Sequence, residues 1–130
     1  MNTSTSELQL GDIGQIGITV ADLDKAVTFY RDVLRIKHLF SVPPNMAFFM
    51  CGNTRLMLSR PEKADGERFK AALYFKVPEI HGAHETLVAR GVSFEARPHL
   101  LAKLTDHELW IAFFRDPDAN LLALMCEKRG

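Results

Sequence analysis

The chain has 130 residues, of which 47% are hydrophobic and 25% charged, so it is long and apolar enough for one domain with its own core. Its 16 Lys and Arg balance 16 Asp and Glu, and this zero formal charge lacks the basic excess of a nucleic-acid binder. No apolar run reaches the ~20 residues of a membrane helix, and polar residues 1–9 hold no signal-peptide stretch, so a cytoplasmic protein with no nucleic-acid or membrane partner is expected.

Residues 1–10 read as a flexible N-terminal tail. Residues 13–20 then alternate, with Ile16, Ile18 and Val20 on one face and Gln15, Gly17 and Thr19 on the other, which predicts a strand. Asp22 suits an N-cap, and Leu23, Ala26, Val27, Tyr30, Val33 and Leu34 follow at helical spacing. Pro43-Pro44-Asn45 separates a second strand from a third, and Cys51-Gly52-Asn53 turns the chain into a fourth. A polar linker spans 60–68. Residues 72–77 predict a fifth strand, and Pro78 suits the first turn of a second helix carrying Ile80, Ala83, Leu87 and Val88, with Gly91 as its terminator. Strands near 92–97, 108–115 and 120–126 complete the chain, the last two joined by Asp116-Pro117-Asp118-Ala119-Asn120. Two cysteines, Cys51 and Cys126, are too few for a disulfide framework and read as buried thiols.

The order strand, helix, three strands occurs twice, and the two halves echo each other. Gln15–Val20 matches Ala72–Val77 at an offset of 57 residues; Phe48-Phe49 matches Phe113-Phe114 at 65; Leu56-Met57-Leu58 matches Leu122-Ala123-Leu124 at 66. The predicted fold is therefore α+β, one domain over 11–128 made of tandem βαβββ repeats at 11–60 and 69–128.

The run from Ile18 to Leu34 (ITVADLDKAVTFYRDVL) resembles the opening motif of glyoxalase and bleomycin-resistance proteins, and Phe113 to Leu121 (FFRDPDANL) resembles their closing motif. The chain is thus similar, over almost its whole length, to the vicinal oxygen chelate superfamily that also holds dioxygenases. One departure is Ala119, where members carry Gly. The resemblance implies a U-shaped, partly open, barrel-like mixed sheet with helices outside, a ligand inside, and a homodimer. It also implies four inward positions that hold a divalent metal in many members: Gln15, Met57, Ala72 and Ala123, two pairs related by the repeat. Gln15 offers an amide oxygen, Met57 a soft thioether and the alanines nothing, a poor donor set for zinc, nickel, iron or manganese. No cofactor is expected, and a divalent metal is disfavoured.

Alternation names further candidates for lining such a cup: Thr19, Arg55, Met57, Ala72, Tyr74, Lys76 and Ala123, with Trp110 as either wall or core. The segment 98–110 is expected to cross the cup mouth between strands six and seven. It concentrates titratable groups, and His99 and His107, with Glu108 or Asp106 orienting one of them, are the catalytic candidates; the alternative is a polar lid with solvated histidines. His81 and His84 have zinc-compatible spacing, but on a helix outside the cup they read as a solvated face. There is no phosphate-binding glycine loop and no Gly-x-Ser-x-Gly elbow. Function then divides three ways: bleomycin-resistance-like binding of a small organic molecule; a metal-independent lyase or isomerase using His99 and His107; or a glyoxalase-like or dioxygenase-like enzyme that recruits one of these histidines beside Gln15. A purely structural module has little support, because no stretch outside the predicted elements is markedly apolar.

Overall fold

The computed structural model describes residues 7–61, 63, 66 and 68–129. The repeat is realised as two four-stranded mixed sheets. The first contains β1 (Gln15–Thr19), β2 (Lys37–Val42), β3 (Met46–Cys51) and β4 (Thr54–Ser59), in the order β1-β4-β3-β2. The second contains β5 (Leu73–Lys76), β6 (His99–Lys103), β7 (Glu108–Arg115) and β8 (Leu121–Lys128), in the equivalent order β5-β8-β7-β6. In each sheet the first strand runs parallel to the fourth and the other pairs are antiparallel. The sheets are not closed: no strand of one is paired with a strand of the other.

Helix α1 (Leu23–Thr28) starts at Asp22, whose side chain accepts the Lys25 N–H at 3.1 Å, and widens into a π turn over Phe29–Val33. Helix α2 (Ile80–Ala89) is capped by Glu79, which accepts from the His81 and Gly82 N–H groups. Glu79 therefore does the capping, and Pro78 stands outside the helix rather than in its first turn. Gly91, at φ +94°, ends α2 in the conformation that glycine adopts without a Cβ clash.

Both helices cover the same side of the sheets. Ile18, Val20, Phe49, Leu56 and Leu58 from the first sheet and Phe114, Leu122, Leu124 and Cys126 from the second join Tyr30, Ile80 and Leu87 in one continuous core. His81 and His84 are part of this side: their rings lie 5.3 Å from Trp110 and 4.4 Å from Phe94. His81 is exposed, as expected of a solvated helix face, while His84 is half-buried, and each ring also meets an aromatic at an angle.

The repeats are latched together by the closing turn. Asp116 is 5% exposed and its carboxylate accepts four hydrogen bonds, from Tyr30 Oη (2.7 Å), the Asn120 amide (2.9 Å) and the backbone N–H of Asp118 and Asn120. Asp118 accepts the Ala21 N–H at 2.7 Å, and Asn120 donates to the Thr19 carbonyl at 3.2 Å. Burial beside Asp116 raises the Tyr30 phenol above its ordinary pKa.

One predicted strand is misplaced. Residues 92–97 make a single bridge, Phe94 to Phe114, and the sixth strand is His99–Lys103, paired with β7 through a register shift between Leu100 and Ala102. Pro98 has no N–H to continue a ladder, so pairing resumes after it. Segment 98–110 is accordingly an edge hairpin, and the lid expected there is absent. Of the predicted tail, residues 1–6 lie outside the described residues, while 7–14 are exposed and form neither strand nor helix. Of the linker, residues 62, 64, 65 and 67 also lie outside them.

Candidate functional site

Strand register sorts every candidate side chain onto one of two faces. Directly opposed residues share a face, so the chain of pairs Gln15–Arg55–Met50–Lys37, Gly17–Met57–Phe48–Phe40 and Thr19–Ser59–Met46–Val42 defines the helix-free, open face of the first sheet. The second sheet has the same construction: Tyr74–Ala123–Phe113 and Lys76–Met125–Ile111–His99 lie on its open face. These faces are apolar yet incompletely covered; Phe40, Val42 and Tyr74 are 47%, 47% and 49% exposed.

The open face of the first sheet holds a connected cluster. The Gln15 amide oxygen accepts the Arg55 Nε–H at 2.6 Å, and its nitrogen lies 3.8 Å from the Met57 sulfur. The Arg55 guanidinium sits 5.3 Å from the centre of the Phe48 ring, a cation–π contact. Phe48 is in turn stacked on Phe40, at 4.6 Å between centroids and 28° between planes. Gly17 makes this crowding feasible: a Cβ there would lie 3.1 Å from the Met57 methyl. Next to Met57, a cavity of about 420 Å³ opens between the sheet and the linker, walled by Met46, Met57 and Ser59 on one side and Arg60, Pro61 and Phe69 on the other. Thr19 closes its end: it is 7% exposed, with its hydroxyl accepting the Phe69 N–H at 2.7 Å and its own N–H bound to the Phe69 carbonyl at 2.8 Å.

The remaining candidates disperse. Ala72 is exposed just before β5, and Ala123 lies beneath the open face between Tyr74 and Phe113. Tyr74 meets Phe113 edge-on at 6.0 Å, and Lys76 is exposed beside Met125. Trp110 and Glu108 occupy the alternate positions of β7, on the helix side. There the Trp110 indole N–H donates to Glu108 at 3.0 Å and Lys128 Nζ stands 4.6 Å from its ring, so Trp110 is no wall of the open face. His107 sits in the β6–β7 turn, bonded through Nδ1 to Asp106 at 2.7 Å, and Asp106 also accepts from Arg129 at 2.9 Å. Its hydrogen bonds to His107 and Arg129 hold the Asp106 carboxyl below its usual range. His99 is exposed and pairs with Ile111, three positions along β7 from Glu108, which places it about 10 Å from that turn at the strand rise. His99, His107 and Glu108 therefore do not converge on one reacting atom.

Sequence reasoning missed Phe40, Phe48, Met46 and Met50. The signal for them was present: a two-residue turn at Gly52-Asn53 fixes the hairpin register and puts Phe48 opposite Met57 and Met50 opposite Arg55.

The donor chemistry at the four metal positions does not fit a divalent cation. The only oxygen donor, that of Gln15, is held by a guanidinium that would repel a metal, and Met57, Ala72 and Ala123 provide no hard ligand. Among the described residues no three His, Cys, Asp or Glu side chains group as a metal site.

The sequence profile of the glyoxalase/bleomycin resistance protein/dioxygenase superfamily matches residues 12–124. The chain belongs to that superfamily. The uncharacterized protein YraH of Bacillus subtilis (strain 168) is 32% identical over 126 residues, covering 85% of this chain and 94% of that protein. Among solved superfamily folds, lactoylglutathione lyase from Agrobacterium tumefaciens superposes with a TM-score of 0.77 at 23% identity, over 90% of this chain and 94% of that one. A superfamily member from Sphaerobacter thermophilus DSM 20745 gives 0.76 at 26% identity, over 92% and 100%. These matches support the two-repeat superfamily fold with open sheets. No helix among the described residues is long and apolar enough to cross a membrane.

Proposed function

We propose that this superfamily member binds a small organic molecule on its open face without the divalent metal that the fold often carries, in the manner of a sequestering protein. The observation that carries this reading is the occupation of Gln15 by Arg55 at the position where a metal ligand would stand. A Met-rich, aromatic surface supports it, since thioether chains adapt to a ligand's outline, and the 420 Å³ cavity beside Met57 falls within the usual range for small-molecule sites. An acid–base enzyme using His99 and His107 together has no support in their separation along β7.

The molecule acts as a homodimer in this reading, with a second copy covering the apolar open faces and enclosing the ligand. Its two free cysteines, one half-buried and one buried, fit a reducing, cytoplasmic setting. The reading is tested by titrating chelator-treated protein with zinc, nickel, manganese and ferrous ions in turn. Calorimetry is expected to show no stoichiometric tight site. One tight site per chain that Gln15→Ala and Met57→Ala abolish would contradict it.

A further inference from the structure

We infer that the ligand of this open face is a planar organic anion, an arylcarboxylate in chemical class, gripped by Arg55. This rests on the metal-free binding reading above and names the ligand chemistry of that site.

Arg55 is exposed, and its Nε–H is taken by Gln15 while its guanidinium carbon lies over the Phe48 ring, 5.3 Å from the centroid. Its two terminal nitrogens have no acceptor among the described residues. A guanidinium held through Nε and in cation–π contact with an aromatic ring has lost rotational freedom, so its outer edge presents two parallel N–H groups in the geometry that a carboxylate accepts bidentately. Gln15 thus acts as a positioning residue for the grip.

The whole chain is neutral, but the paired strand positions on this face include Arg55 and Lys37 and no acidic residue. On the neighbouring sheet Lys76 adds a third cation, whereas Arg115 is paired with Glu95 and Glu127 with Arg129. Among the described residues the unpaired charge on the open faces is positive, which selects against a cationic ligand and for an anion.

Along β4, Arg55, Met57 and Ser59 follow each other at about 7 Å per step on the same face. A carboxylate at Arg55 therefore places its aromatic body across Met57 and the Phe48–Phe40 stack, and any further substituent enters the 420 Å³ cavity. Offset or edge contacts with two stacked rings suit a planar group better than a branched aliphatic one.

The test is calorimetric titration of the full-length protein with 2-naphthoate and with its neutral isostere 2-naphthamide. Naphthoate is expected to bind at least about tenfold more tightly than the amide, and Arg55→Lys, which keeps the charge but not the fork, to remove that preference while leaving amide binding in place. Gln15→Ala, which frees the guanidinium to rotate, is expected to reduce the preference and Phe48→Leu to weaken both probes. Equal affinity for the two probes would overturn the anion assignment, and a preference intact in Arg55→Lys would overturn the grip by Arg55, while metal-free binding stands in both cases. Failure of naphthoate to bind at millimolar concentration would also overturn it. Binding of naphthoate only after loading with zinc or nickel would overturn the metal-free reading itself.

Discussion

Tyr30 and Asp116 are 86 residues apart and meet at 2.7 Å in the core, and this one bond fastens the helix of the first repeat to the closing turn of the second. Removing the hydroxyl leaves a buried carboxylate oxygen with one donor fewer. Tyr30→Phe is expected to lower unfolding free energy by about 1–3 kcal/mol, read from urea denaturation. The bond also fixes a pH dependence. The folded-state pKa of Tyr30 is raised by burial first and Asp116 second, so its stabilisation is complete below the unfolded tyrosine value of about 10 and is lost as pH rises beyond it. The stability difference between wild type and Tyr30→Phe should therefore hold at neutral pH and shrink above pH ~10; a difference that grew with pH would contradict the assignment. Ala119 is a second residue with a measurable consequence. It adopts φ +64°, in the left-handed region that glycine occupies without a Cβ clash. Strain there costs a non-glycine residue about 1–2 kcal/mol, while glycine adds about 0.4–1 kcal/mol of unfolded-chain entropy. Ala119→Gly is expected to raise stability by roughly 0.5–1 kcal/mol.

At the scale of elements, alternation predicts β1, β4, β5 and their faces because each has one apolar and one polar side. The second sheet was harder to read for a physical reason. Strand β7 is apolar on both sides, with Leu109, Ile111 and Phe113 on the open face and Trp110, Ala112 and Phe114 toward the helix. Period-two patterning has no contrast to work with there, so Trp110 could not be assigned to wall or core until its contacts with His81 and Lys128 were seen. Likewise 92–97 and 99–103 both carry apolar residues, and only pairing with β7 decides which is the strand. The Gln15–Arg55–Phe48 cluster spans three strands, so no local pattern announces it even though each residue was visible. The placement of Trp110 makes a prediction at this scale. Trp110→Phe is expected to leave ligand affinity within about twofold while lowering stability through lost packing and the lost Glu108 bond. A tenfold loss of affinity at unchanged stability would place Trp110 at the ligand instead.

The whole molecule has one covered side and one bare side. Helices α1 and α2 and a single core protect the first, while the second leaves Phe40, Val42 and Tyr74 about half exposed, apolar surface that a second copy would cover. Light scattering coupled to gel filtration is expected to give twice the chain mass, and replacement of Val42 by Asp to shift it toward the monomer. The repeat thus makes two matching halves, and the four positions it singles out read Gln, Met, Ala and Ala, with an arginine beside Gln15 where a metal cation would need an anionic ligand. Native mass spectrometry of protein purified without chelators, combined with elemental analysis of the same sample, tests this most directly. The account predicts chains free of stoichiometric transition metal, with added arylcarboxylate retained at one per chain; one nickel, zinc, iron or manganese ion per chain, lost on mutation of Gln15, would contradict it.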